Sequence, residues 1–182
     1  MIGRWIRRLG SRLRADDRGV AAVEFAFTVP VLLIVYLGGF ELSQAMATYR
    51  KMSDATVELA NVAAQYTTMG SLDVNSVFSA SSQIMAPYPT QNLTIVLTEI
   101  ATDASNHATV QWSQPYNGAT ALVAGSAVTL PAGLGTANSY YILVQTTYQY
   151  NPVVGANYIP SMPMSDQLYI IPRASTSIPY TG

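Results

Sequence analysis

The chain of 182 residues has no cysteine. That excludes disulfides, thiolate metal sites and cysteine nucleophiles. It has one histidine, and Asp, Glu, Lys and Arg together make up only 10% of its residues, where about a quarter is usual for a soluble globular domain. Positive charge is scarcer still beyond the first residues. Arg4, Arg7, Arg8, Arg12, Arg14 and Arg18 all precede Gly19. After it only Arg50, Lys51 and Arg173 remain, against Glu24, Glu41, Asp54, Glu58, Asp73, Glu99, Asp103 and Asp166. An acidic body without clustered Lys and Arg cannot neutralise phosphates, so no nucleic-acid partner is expected. No GxSxG, P-loop or dinucleotide fingerprint is present. The lone His107 sits in the polar stretch Asp103-Ala-Ser-Asn-His107. No partner for a Ser–His pair or a zinc site is marked around it, so it reads as a solvated loop residue. Neither an enzyme activity nor a cofactor is expected.

What the sequence does have is one long apolar run, Val20 to Phe40. It is about long enough to cross a bilayer as a helix. The arginines on its N-terminal side place that end in the cytoplasm and export the body that follows. The run flows into a helical pattern instead of a small-residue cleavage region, so it reads as a retained membrane helix and not as a secretory signal peptide. Pro30 falls inside it and is expected to kink it, with Gly38 and Gly39 loosening it near the membrane exit. Glu24 is its only carboxylate. A charged residue in hydrocarbon is costly and usually functional.

Beyond the run, Leu42, Ala45, Tyr49, Met52, Thr56, Leu59, Ala63 and Tyr66 continue at three- and four-residue steps, an apolar stripe on one helix face. The part after about Arg50 is expected to pack on the chain's own C-terminal body, and the part before it on neighbouring subunits. Gly70 is expected to end this helix. A second helix is expected over Asp73 to Met85, with Asp73 as N-cap and with Val74, Val77, Phe78, Ser81, Ile84 and Met85 on one face. From Asn92 the period changes to two. Leu93–Thr98, Thr109–Ser113, Ile142–Tyr150 and Leu168–Ile171 read as antiparallel strands. The stretches Pro115–Ser139 and Asn151–Ser165 read as long loops, functional or mobile. The expected fold is α+β: a long N-terminal transmembrane helix packed onto a small antiparallel β-sheet domain.

The stretch RGVAAVEFAFTVPVLLIVYLGGFELSQAMATYRKMSDATVELANVAAQ resembles the TadE-like family, minor pilins (pseudopilins) of the bacterial tight-adherence, or Flp, type IV pilus machinery. The resemblance rests on Gly19, Glu24-Phe25, Ala26, Pro30, the apolar run after it and Glu41 at the helix exit. It then follows the small and apolar residues to about Ala64. One departure is that Asn61 and Gln65 stand where the family helix often carries a basic residue.

The resemblance implies a division into a basic prepilin leader (1–19), a transmembrane and pilin-like helix (20–66) and a periplasmic, β-rich domain (67–182). It implies that prepilin peptidase cuts between Gly19 and Val20, making Glu24 the fifth residue of the mature chain. It places Glu24 and Phe25 in assembly, where the carboxylate would meet the α-amino group of an adjacent subunit. The implied partners are prepilin peptidase, other pilin subunits and the inner-membrane assembly platform. The implied location is the inner membrane, single pass, with the N-terminus cytoplasmic and incorporation into an extracellular pilus to follow. Among the twelve tyrosines, Tyr140, Tyr141, Tyr148, Tyr150 and Tyr158 are candidates for an interaction surface, with strand packing the expected role for most. The competing reading is a bitopic, membrane-anchored periplasmic sensor or binding protein.

Overall fold

A computed structural model describes residues 17–156 and 159–182. The expected Tyr158 and the arginine-rich leader before Asp17 lie outside the described residues. The chain forms two compact units, Met1–Gln44 and Ala45–Gly182, with one helix, α1, running through both. α1 spans Asp17–Ala63, 47 residues, or about 70 Å at 1.5 Å per residue. It is continuous across Pro30, which has no N–H to give the Ala26 carbonyl.

The second unit is built on a sheet of five strands: β1 (Leu93–Thr102), β2 (Ala108–Tyr116), β3 (Ala127–Val128), β4 (Tyr140–Tyr150) and β5 (Met162–Ile170). All pairs are antiparallel, in the order β3-β2-β1-β4-β5. The chain is therefore α+β, as its change of period indicates.

One sheet face carries the main core. Met52, Ala55, Leu59, Ala60 and Ala63 of α1 pack with Leu93, Ile95, Leu97, Ile142, Val144, Tyr148 and Tyr150. Each large aliphatic side chain buried here contributes about 1.5–3 kcal/mol, and the alanines let helix and sheet approach closely. Thr56 and Thr146, both buried, share a hydrogen bond of 2.6 Å across this contact. The part of the stripe after Arg50 packs on the chain's own body as expected, and Ala45 before it also packs against this core. Met52, Thr56, Leu59 and Ala63 are buried, whereas Leu42 and Tyr49 are exposed.

α1 ends at Ala63, not at Gly70. Its last carbonyls are taken up without a glycine. The N–H groups of Gln65 and Tyr66 donate to Val62 and Ala63, and the Arg173 N–H donates to the Ala64 carbonyl at 2.8 Å. The C-terminal segment thereby satisfies a helix-end acceptor that would otherwise be orphaned. The second helix, α2, spans Ser71–Met85 and has Gly70 as its N-cap. Asp73 is its third residue, and its carboxylate accepts the Gly70 N–H at 2.9 Å. The expected N-cap role passes to the residue three positions earlier. The predicted inner face holds: Val74, Val77, Phe78, Ser81 and Met85 are buried.

Two loop expectations are corrected. β5 begins at Met162, inside the stretch read as loop, with Pro163 paired to Gln149. An edge strand accommodates a residue that lacks an N–H. The stretch Pro115–Ser139 is also not free. β3 forms within it, and the turn after β3 covers the back of the sheet. There Ile100, Ala108, Tyr141 and Leu143 form a second small core with Val128, Leu130 and Tyr169. The Tyr141 hydroxyl accepts the N–H groups of Gly135 at 3.3 Å and Thr136 at 3.0 Å. These donors hold the phenol below its ordinary pKa.

Candidate functional site

Over 19–40, α1 is a helix with nothing packed on it among the described residues. From Gly19 to Phe40 every side chain is exposed or nearly so, and Val20, Phe25, Phe27, Ile34 and Tyr36 are among its large apolar groups in the open. Water is the wrong solvent for such a surface, which exceeds the scattered apolar residues of an ordinary protein exterior. This helix is the one, among the described residues, long and apolar enough to cross a membrane.

Glu24 projects from this surface. The helical repeat sets it on one ridge with Val20, Phe27 and Val31. It has no hydrogen bond or ion pair within the chain among the described residues. A lone carboxylate in an apolar setting needs a partner from another molecule. Phe25 sits beside it, exposed. Gly19 and Val20 lie in the first turn of α1, with open space around Gly19 among the described residues.

The other singled-out residues fall elsewhere. His107 is exposed in the β1–β2 turn, with Nδ1 3.2 Å from Asp103 Oδ2. Asp103 Oδ1 accepts the N–H groups of Ser105 and His107. The His107 N–H is the largest influence holding the Asp103 carboxyl below its ordinary pKa. This is a turn that fastens itself. Tyr141, Tyr148 and Tyr150 are buried. They fill the two cores, which removes them from the expected interaction surface; Tyr140 alone of the described four is half-exposed.

Sequence reasoning missed Glu99. It is 2% exposed and lies on the inner face of β1 after Leu93, Ile95 and Leu97. Its Oε1 accepts the Ile178 N–H at 2.5 Å, and its Oε2 accepts Trp112 Nε1–H at 3.0 Å. The same indole N–H also reaches the Ile178 carbonyl at 2.7 Å. Burial pushes the Glu99 carboxyl above its ordinary pKa, and the two donors oppose that rise. The alternation that reads Leu93, Ile95 and Leu97 as inward carries on to position 99 and was the available signal. Arg173 was missed too: its guanidinium reaches Asn61 Oδ1 at 3.1 Å.

Residues 19–65 match the family model described as TadE-like protein. The resemblance read from the sequence holds over nearly all of α1, the element that carries Gly19, Glu24, Phe25 and Pro30. No curated protein and no solved structure matches the chain. The helix that carries this match fits, by length and composition, a single-pass membrane anchor.

Proposed function

We propose that this protein is a non-enzymatic minor pilin of a tight-adherence pilus. Its leader is removed by prepilin peptidase between Gly19 and Val20, and it assembles with other pilin subunits through the N-terminal part of α1. The observation that carries the reading is the apolar stretch 19–40 of α1, exposed and without a packing partner among the described residues, with Glu24 near its start, inside the TadE-like segment. Such a surface is covered by lipid before assembly and by neighbouring helices after it.

The steps follow from the residues. The arginines before Gly19 hold the leader on the cytoplasmic side, which exposes the Gly19–Val20 bond to a peptidase acting there. Cleavage frees an α-amino group four residues before Glu24. In the mature chain the carboxylate pairs with the α-amino group of an adjacent subunit and fixes the axial register of packing. Pro30 and the pair Gly38-Gly39 give the helix points at which to bend as it passes from bilayer to polymer. The second unit, the periplasmic β-rich domain, supplies specificity outside the membrane.

The alternative is a membrane-anchored binding protein, which stays in the membrane and is dispensable for pili. Deleting the gene and fractionating sheared filaments separates the two. The pilin reading expects pili to disappear or fall sharply in number, with the protein recovered in the filament fraction or its assembly complex. Normal piliation without it supports the anchored binding protein.

A further inference from the structure

The second unit begins close to where the membrane-length run of α1 ends. Ala45 is five residues after Phe40, about 7.5 Å along a helix at 1.5 Å per residue. One end of this unit is therefore tethered near any bilayer that holds the run, and the pairing shows which end. The Arg173 N–H, just past β5, donates to the Ala64 carbonyl, just past α1. Ser53 Oγ donates to Asp166 Oδ2 at 2.7 Å. α1 and β5 thus run in the same direction. From Asp166 back to Met162, the first residue of β5, the strand covers about 13 Å at 3.3 Å per residue. The same length measured back from Ser53 along α1 reaches its first residues in this unit. The loop between β4 and β5 lies at or beyond that level.

This end is apolar. In the loop, Val153 is 67% exposed, and Ile159 and Met162 are exposed with it. The Ile159 N–H donates to the Gly155 carbonyl at 2.9 Å, closing a turn beside these side chains. Met46 and Tyr49 are exposed apolar residues of α1 at the same end. Apolar groups gathered at one end of a unit mark a contact surface, unlike groups scattered singly.

Charge is sorted along the same direction. Of the three Lys and Arg residues in this unit, Arg50 and Lys51 follow shortly after Ala45. Arg173 lies at the far end beside Asn61. No Asp or Glu occurs in 45–53 or in 140–165. The acidic groups come further on: Asp54 and Glu58 on α1, Asp166 level with Ser53, and Asp103 in the β1–β2 turn at the far end. Arg50 is about 15 Å past Phe40 by helical rise. The headgroup layer accounts for about 5–7 Å of that. Long basic side chains shorten the remainder to about a Debye length, 8 Å at physiological ionic strength.

We propose that this end of the second unit rests on the phospholipid surface while the subunit is in the membrane. Val153, Ile159, Met162 and Tyr49 enter the headgroup region, and Arg50 and Lys51 face anionic phosphates. The proposal rests on the anchoring of α1 in the bilayer, which both readings above share. Apolar side chains and aromatic rings are favoured at headgroup level, and basic residues near the surface add attraction to anionic lipid. The contact holds the β-rich unit against the bilayer, and it must break before the subunit joins a filament.

The chain has no cysteine, so single labels report cleanly. Full-length Val153→Cys, Val123→Cys and Tyr36→Cys are each labelled with an environment-sensitive fluorophore. They are reconstituted into phosphatidylcholine vesicles with and without phosphatidylglycerol, and quenched by a lipid carrying a nitroxide on its headgroup or high on its acyl chain. Val123 is the matched control: the same residue type, 74% exposed, in the loop that Gly125 fastens to Val110, away from the tethered end. The Tyr36 label reports whether α1 is inserted. Expected are strong quenching at Tyr36 and Val153, none at Val123, and stronger quenching at Val153 when phosphatidylglycerol is present. Quenching at Tyr36 without quenching at Val153 overturns the proposal and leaves the anchor standing. No quenching at Tyr36 overturns the anchor and the proposal with it. Equal quenching at Val153 and Val123 overturns an oriented contact. A Val153 label that is blue-shifted yet untouched by the lipid nitroxide shows that protein covers this end, and overturns the proposal as well. Equal quenching at Val153 with and without phosphatidylglycerol overturns the role given to Arg50 and Lys51.

Discussion

Glu24→Ala is expected to leave the protein inserted in the membrane and trimmed at Gly19, yet nearly absent from filaments. The carboxylate has no partner among the described residues of its own chain. In the proposed assembly its partner is the α-amino group of an adjacent mature subunit. Removing one member of a buried ion pair leaves the other charge unpaired, which costs about 3–5 kcal/mol. At 1.4 kcal/mol per tenfold, incorporation should fall on the order of 10²- to nearly 10⁴-fold. In the single subunit the same change removes a carboxylate that is costly in hydrocarbon, about 2.5–3.5 kcal/mol at a membrane centre and less near its edge. Membrane retention should therefore be undiminished. Quantitative immunoblots of membrane and sheared-filament fractions separate these effects. Glu24→Ala recovered in filaments at the unsubstituted level would show that the carboxylate does not set packing.

Ile178→Ala and Glu99→Ala are expected to release the C-terminal segment from the sheet. Ile178 is fully buried, and its loss should cost about 2–4 kcal/mol by the usual range for a large-to-small core change. Glu99→Ala leaves the Ile178 N–H without an acceptor, a cost of about 1–3 kcal/mol. The two changes break one contact, so the double variant should lose less than the sum of the singles. Tyr180 stacks on Trp112 with ring centroids 5.7 Å apart. Release should therefore expose this buried indole and shift its fluorescence to the red, with Trp5→Phe as the background that isolates the signal. Unchanged denaturation midpoints in both single variants would deny the segment a structural role.

The pH dependence has a defined sign. The folded-state pKa of Glu99 lies above its ordinary value of 4.5 because of burial. Between those two values the folded protein holds more of the proton than the unfolded chain does. The Glu99 contribution to stability is therefore greatest at and below the ordinary value, declines as pH rises through that window, and is flat above the raised pKa. Denaturant unfolding of the unsubstituted protein and Glu99→Leu across this range should differ in slope in that direction.

Much of this architecture is legible in local pattern. The apolar run of α1, its inward stripe after Arg50 and the alternation in β1 and β4 each follow from a period of 3.6 or 2, and the inner face of α2 follows the same rule. What was not legible depends on partners distant in sequence. β5 looks like loop up to Ser165 because Met162-Pro163-Met164-Ser165 has weak strand character, and it becomes strand through pairing with Tyr150–Thr147. Tyr141 and Leu143 fall on the other side of β4 from Ile142 and Val144, and they are buried by a turn after β3 that carries no periodic signal. The end of α1 at Ala63 relies on the Arg173 N–H, more than a hundred residues away. Of the candidate site, the order of Gly19, Glu24-Phe25 and Pro30 along one helix was the signal, and the family match over residues 19–65 covers all four. For the tyrosines, strand packing was the expected role for most, and Tyr141, Tyr148 and Tyr150 are buried; composition alone does not separate inward strand tyrosines from surface ones.

The most direct test of the central claim is the mass and N-terminal residue of the membrane-extracted protein, made with active and with inactive prepilin peptidase. The pilin account predicts a chain beginning at Val20 only when the peptidase is active, and a chain that keeps its leader otherwise. A chain that keeps residues 1–19 in the presence of the active matching peptidase would contradict it.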